Sequence, residues 1–148
     1  MNLKHVLLTS DLSDESIRAF APVAELARLS GAKVTLLHVV DDVPVPPAGA
    51  PLAPPLHAPD IEATAKAAHE KLESECERLG GGIETAIDVR ISTDPAHAIA
   101  DAATELKADL VAISTHGRTG FRRLVLGSVA EGVVRHCHVP VLVFPRQN

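Results

Sequence analysis

The sequence predicts an α/β protein, a doubly wound, five-stranded parallel sheet in the order 3-2-1-4-5 with helices on both faces. Three observations predict it. Short apolar runs that suit strands alternate along the chain with longer stretches of helical spacing. Several of those runs are almost continuously aliphatic, as parallel strands covered on both faces require. Parallel neighbours also need a crossover between them, which the intervening helices supply.

Leu3 to Thr9 (LKHVLLT) is the first strand and ends in the polar turn Ser10-Asp11-Leu12-Ser13. Ser13 offers a capping hydroxyl, and Asp14 and Glu15 face the positive end of the helix that follows. Ile17, Phe20, Ala24, Ala27 and Leu29 then recur at helical spacing until Gly31 stops the helix. Pro22 is discordant, since an interior proline costs about 3 kcal/mol and predicts a kink. Lys33 to Val40 (KVTLLHVV) is the second strand. Glu62 to Leu79 is rich in helix formers and ends at Gly80-Gly81-Gly82.

Ile83 to Ile91 (IETAIDVRI) alternates like a strand with one face less buried. Thr93-Asp94-Pro95 supplies a cap and a first-turn proline for a helix lined by Ile99, Ala102, Ala103 and Leu106. Asp109 to Ser114 (DLVAIS) is the fourth strand, Ser128 to His136 the last helix and Val139 to Phe144 the last strand. The whole chain, 1–148, reads as a single domain. Within it Asp41 to Pro59 holds seven of the eleven prolines and fits no element, so it is expected to be a loop, either passive or a lid over the site.

Composition narrows the function. Aromatic residues make up 2% of the 148, with no Trp or Tyr, which removes a base-stacking platform. A net charge of −5 argues against a general binder of nucleic-acid backbones. No apolar stretch reaches about 18 residues, and the N-terminus lacks the zones of a secretory signal, so a cytoplasmic protein without membrane contact is expected. Cys76 and Cys137 read as reduced thiols packed as small hydrophobes.

In a sheet of this order ligands lie beyond the carboxyl ends of the strands where the order reverses, here after the first and fourth. The segment after the fourth strand is Ser114-Thr115-His116-Gly117-Arg118-Thr119-Gly120-Phe121-Arg122-Arg123-Leu124-Val125-Leu126-Gly127-Ser128. Its glycines let backbone approach a ligand, and Gly127-Ser128 stands where a helix begins, so free N–H groups and the helix dipole converge on a spot that suits phosphate. No acid lies between Asp109 and Glu131, while Arg118, Arg122 and Arg123 make the loop locally positive. The plainer reading is a glycine turn with solvated arginines. Glycine spacing alone does not decide between the two.

The chain resembles the universal stress protein family, whose ATP-binding members carry Gly-x-x-Gly, nine residues, then Gly-Ser or Gly-Thr here. Gly117, the nine residues Arg118 to Leu126, and Gly127-Ser128 match, within STHGRTG and LGSVAEGVVRHCHVPVLV. The resemblance implies an adenine nucleotide alpha hydrolase-like fold that binds ATP with Mg²⁺. It implies that Gly117, Gly127, Ser128 and the amide of Val129 hold the triphosphate, that Asp11 hydrogen-bonds the nucleoside, and that backbone at Val39 meets adenine. Ser114 stands where the pattern has its first glycine, beside ribose or the first phosphate, and Thr9 replaces a proline common in the first strand. The family forms dimers through the last strand, which implies a symmetric homodimer through Val139 to Phe144, an apolar run that as a sheet edge invites pairing.

His116 and Arg118 flank Gly117 within reach of a phosphate, and His38 ends a strand near the same place, although a loop or strand-end histidine is the commoner role. His136-Cys137-His138 has no distant partners and is not read as a metal site. Asp11 has a plain alternative as a turn residue. No Gly-x-Ser-x-Gly elbow or Walker lysine motif occurs, nor a lysine or acid pair to activate water, so hydrolysis is expected to be weak at most. A regulatory ATP-binding module is therefore the leading expectation. A nucleotide-independent interaction protein and a slow ATPase or nucleotidyl-transfer enzyme are the alternatives.

Overall fold

The sheet is organised around β1 (His5–Thr9), which is buried along its whole length. The structure, a computed structural model, describes residues 2–42, 60–115 and 126–145. β1 pairs on one side with β2 (Lys33–Asp41) and on the other with β4 (Leu110–Ser114), and β3 (Thr85–Ser92) and β5 (Val141–Phe144) extend the sheet outward. All four pairings are parallel and the order is β3-β2-β1-β4-β5, as expected.

Alternation along β1 sends its side chains to two separate cores. Val6 and Leu8 join Phe20, Val23, Leu36 and Leu72 beneath α1 (Phe20–Ser30) and α2 (Ile61–Cys76). Leu7 joins Leu37, Ile99, Val111 and Val133 beneath α3 (Pro95–Glu105) and α4 (Ser128–His136). The sheet is thus covered on both faces, which is why its central strands lack a polar side.

Local chemistry sets the helix ends. The Asp60 carboxylate accepts from the N–H groups of Glu62 and Ala63, both at 3.1 Å, and opens α2. Asp94 accepts from the N–H of His97 at 3.1 Å, with Pro95 as the first residue of α3. α1 ends at Gly31, whose φ of 70° is the left-handed cap that glycine adopts without strain.

Three expectations need correction. Pro22 does not kink a helix: α1 starts at Phe20 after a 3-10 turn, Ser16–Ala19, so the proline falls in the first turn, where it removes no α-helical hydrogen bond. Leu29 is 81% exposed and faces solvent rather than the core. β3 and β5 each begin two residues later than their apolar patterns, at Thr85 and Val141. Most of the proline-rich segment, 43–59, lies outside the described residues.

The end of the sheet opposite the strand tips holds a buried histidine. His5 donates through Nδ1 to the Leu106 carbonyl at 3.0 Å, and its Nε2 lies 2.7 Å from the Thr35 hydroxyl, a pair of partners that suits the neutral ring. Burial holds its pKa below the usual value. The Asp109 carboxylate accepts from the N–H groups of Lys4 and His5 at 2.8 and 2.9 Å, which hold its pKa below the ordinary carboxylate range.

Candidate functional site

The carboxyl ends of β1, β2 and β4 open onto a cavity of about 560 Å³, which Pro95 and Ile99 of α3 and the first turn of α4 also line. The size falls in the range of small-molecule sites, about 300 to 1,000 Å³. β1 contributes Thr9 and the turn after it, β2 contributes Leu37 to Val39, β4 contributes Ile113 to Thr115, and α4 enters with Gly127 to Ala130.

Seven of the expected binding residues meet here: Thr9, Asp11, Val39, Ser114, Gly127, Ser128 and Val129 all line the cavity. His116, Gly117 and Arg118 lie outside the described residues. Gly127 precedes α4 in an extended conformation, φ −60° and ψ 157°, and no side chain caps the helix. Among the described residues no side chain caps the first N–H groups of α4, which stand at the cavity, and the dipole places partial positive charge there.

Ser114 and Thr9 turn their hydroxyls into the scaffold. Ser114 Oγ donates to the Ser16 carbonyl at 3.3 Å, linking the tip of β4 to the 3-10 turn, and the cavity remains open beside it. Thr9 Oγ1 donates to the Ala112 carbonyl at 3.3 Å, linking β1 to β4. The Asp11 carboxylate accepts from the N–H and the hydroxyl of Ser13 at 3.1 and 2.6 Å, which holds it in a tight turn at the cavity edge.

Sequence reasoning missed Ser10, Ser16 and Thr115, all buried polar residues of the lining. Ser10 and Thr115 directly follow β1 and β4, which was a usable signal, because a polar residue buried at the carboxyl end of a parallel strand needs a local partner; Ser16, in the 3-10 turn, offered none. His38 also lines the cavity and donates through Nδ1 to the Ser10 carbonyl at 2.8 Å. The side walls at Leu37, Ile99, Ile113 and Ala130 are apolar. The combination suits a ligand with a flat apolar part and an anionic part. Asp11 is the one acid among the described lining residues, and no group of three or more His, Cys, Asp or Glu able to hold a metal occurs among the described residues. His136, from the His-Cys-His run, stacks instead on His97, ring centres 4.0 Å apart. No helix among the described residues is long and apolar enough to cross a membrane.

The model of the universal stress protein family matches residues 2–145. A universal stress protein of Methanocaldococcus jannaschii, MJ0531, is 33% identical over 95% of this chain and 81% of its own length. Among solved structures, that of MJ0577, also from M. jannaschii, superposes with a TM-score of 0.76 over 100% of this chain and 99% of its own, at 24% identity. A universal stress protein solved in complex with cAMP gives a TM-score of 0.69 over 98% of both chains, at 22% identity. At those identities the two structures speak to the fold.

Proposed function

The chain belongs to the universal stress protein family, and on that premise we propose that it is a regulatory module that binds ATP and changes conformation or partner on doing so. The observation that carries this reading is the meeting of Asp11, Val39, Ser114 and the uncapped start of α4 around one cavity at the switch point of the sheet. A relative solved with cAMP supports an adenine nucleotide as the ligand class.

In this reading adenine lies against backbone at Val39, the Asp11 carboxylate accepts from a ribose hydroxyl, and the phosphates lie toward Gly127, Ser128 and the amide of Val129. His116, Gly117 and Arg118, outside the described residues, are expected to take part on the phosphate side. Magnesium fits as a companion of the phosphates: with Asp11 the one acidic group in the described lining, its shell must be filled by phosphate oxygens and water. Among the described lining residues no acid pair stands ready to activate water, so turnover is expected to be slow at most.

Isothermal titration of the full chain with ATP tests the reading. Wild type is expected to bind, Gly127→Val to abolish binding, and Ser128→Ala to weaken it about fivefold, the equivalent of one hydrogen bond near 1 kcal/mol. No heat at millimolar ATP overturns the proposal.

Self-association through β5 and location in the cytoplasm belong to the same reading. β5 is an edge strand with Leu142 exposed at 39%, and both cysteines are free thiols. Sedimentation is expected to find a homodimer, and a monomer at micromolar concentration refutes it.

A further inference from the structure

α2 buries a carboxylate that the nucleotide reading does not use. Glu75 is 4% exposed, its Oε2 accepts from Ser10 Oγ at 2.7 Å, and its Oε1 has no hydrogen-bond partner among the described residues. An acid buried with one oxygen unpartnered opposes folding, and an apolar side chain of the same size carries no such cost.

What Glu75 holds is a hub. The Ser10 N–H donates to the Leu37 carbonyl at 2.9 Å and the Ser10 carbonyl accepts from His38 Nδ1 at 2.8 Å. Its hydroxyl accepts from the Leu12 N–H at 3.0 Å and lies 3.1 Å from Ser16 Oγ. One helical turn before Glu75, Lys71 Nζ donates to the Leu12 carbonyl at 2.6 Å. Leu12 has φ 64°, in the left-handed region that a leucine occupies only under constraint. α2 therefore grips the chain at Ser10 and again at Leu12, and Asp11, which lines the cavity, lies between the two grips.

We propose that Glu75 is a positioning residue for the ligand site: acting through Ser10, with Lys71 as the second hold, it keeps 10–13 in the strained turn that presents Asp11 to the nucleoside. This rests on the nucleotide reading above. It makes α2 the element that feels whether Asp11 is engaged, and it trades fold stability for order in the turn.

Three measurements on the full chain test it: ATP titration, thermal unfolding, and amide exchange at Leu12 without ligand. Glu75→Gln keeps an acceptor for Ser10 and is expected to hold ATP affinity within about threefold. Glu75→Leu is expected to keep or raise the melting temperature, speed exchange of the Leu12 amide about tenfold, and weaken ATP about tenfold, as loss of one charge-assisted hydrogen bond implies. Lys71→Met, at an exposed position, is expected to loosen the same amide without unfolding, and keeps the test open if Glu75→Leu fails to fold. A Glu75→Leu chain that loses melting temperature and affinity in parallel with Glu75→Gln, or an unchanged Leu12 amide, overturns the proposal. If wild type binds no ATP, the nucleotide reading fails on its own, and Leu12 exchange still decides whether Glu75 orders the turn.

Discussion

Replacing Gly132 by alanine tests how closely α3 and α4 pack beside the site. A Cβ built at Gly132 falls 2.5 Å from the Ala96 Cβ, well inside the normal carbon contact of about 3.5 to 4.0 Å. Neither methyl can turn aside, because each is fixed to a helix backbone, so the helices must part by about 1 Å. Overpacking of this kind costs about 1 to 3 kcal/mol. Alanine gains about 0.8 to 1.0 kcal/mol over glycine inside a helix. The balance is a loss of about 0 to 2 kcal/mol, or roughly 2 to 4 °C for each kcal/mol in a chain of this size. Urea unfolding of Gly132→Ala, Ala96→Gly and the double variant separates the two effects. Ala96→Gly is expected to cost less in the Gly132→Ala background than alone, because it relieves the contact. A Gly132→Ala chain stabilised by about 1 kcal/mol, with no coupling to position 96, refutes this reasoning. Since α3 brings Pro95 and Ile99 to the cavity and α4 brings Ser128 to Ala130, parted helices are also expected to weaken ligand binding.

Other consequences follow from the same contacts. Ser114→Val removes the donor to the Ser16 carbonyl and turns a methyl toward the cavity, so ATP affinity is expected to fall about tenfold, and unchanged calorimetry contradicts the placement. Stability is expected to fall as pH drops below about 6.5, because the unfolded chain takes up a proton at His5 that the folded chain resists; above that value the contribution is fully present. His5→Gln should flatten this step in the urea midpoint, and a wild-type midpoint unchanged from pH 7.5 to 5 contradicts it. Asp109 adds a second loss at lower pH, since its stabilisation is complete above the unfolded carboxyl value near 3.9 and disappears as pH falls through the lowered folded value. Burial pushes the thiols of Cys76 and Cys137 up, so iodoacetamide at pH 7.5 is expected to modify the folded chain much more slowly than the unfolded one.

The strands and their order were legible because a parallel sheet covered on both faces imposes apolar runs such as KVTLLHVV, and crossovers leave helical spacing between them. Chain ends of elements were less so: Val139 is apolar but precedes the first paired residue of β5. Pro22 misled because a 3-10 turn and an α-helix in series share one periodic pattern. At the site, glycine and serine spacing pointed to Gly127 and Ser128, whose role depends on local backbone. Ser16 and Glu75 were hidden for a physical reason. Glu75 sits among helix formers and reads as a solvent-facing acid, and only its contact with Ser10, 65 residues away, gives it another role. The sequence likewise gives no sign of Ser114's partner, the Ser16 carbonyl 98 residues away.

The most direct test of the central claim is an amide chemical-shift map of the isotope-labelled chain titrated with ATP. Saturable shifts are predicted at Asp11, Val39, Ser114 and Gly127 to Ala130, with the opposite end of the sheet, around Lys4, His5 and Asp109, quiet. An absence of shifts at millimolar ATP, or shifts confined to residues away from the tips of β1, β2 and β4, contradicts a nucleotide site at the switch point of this sheet.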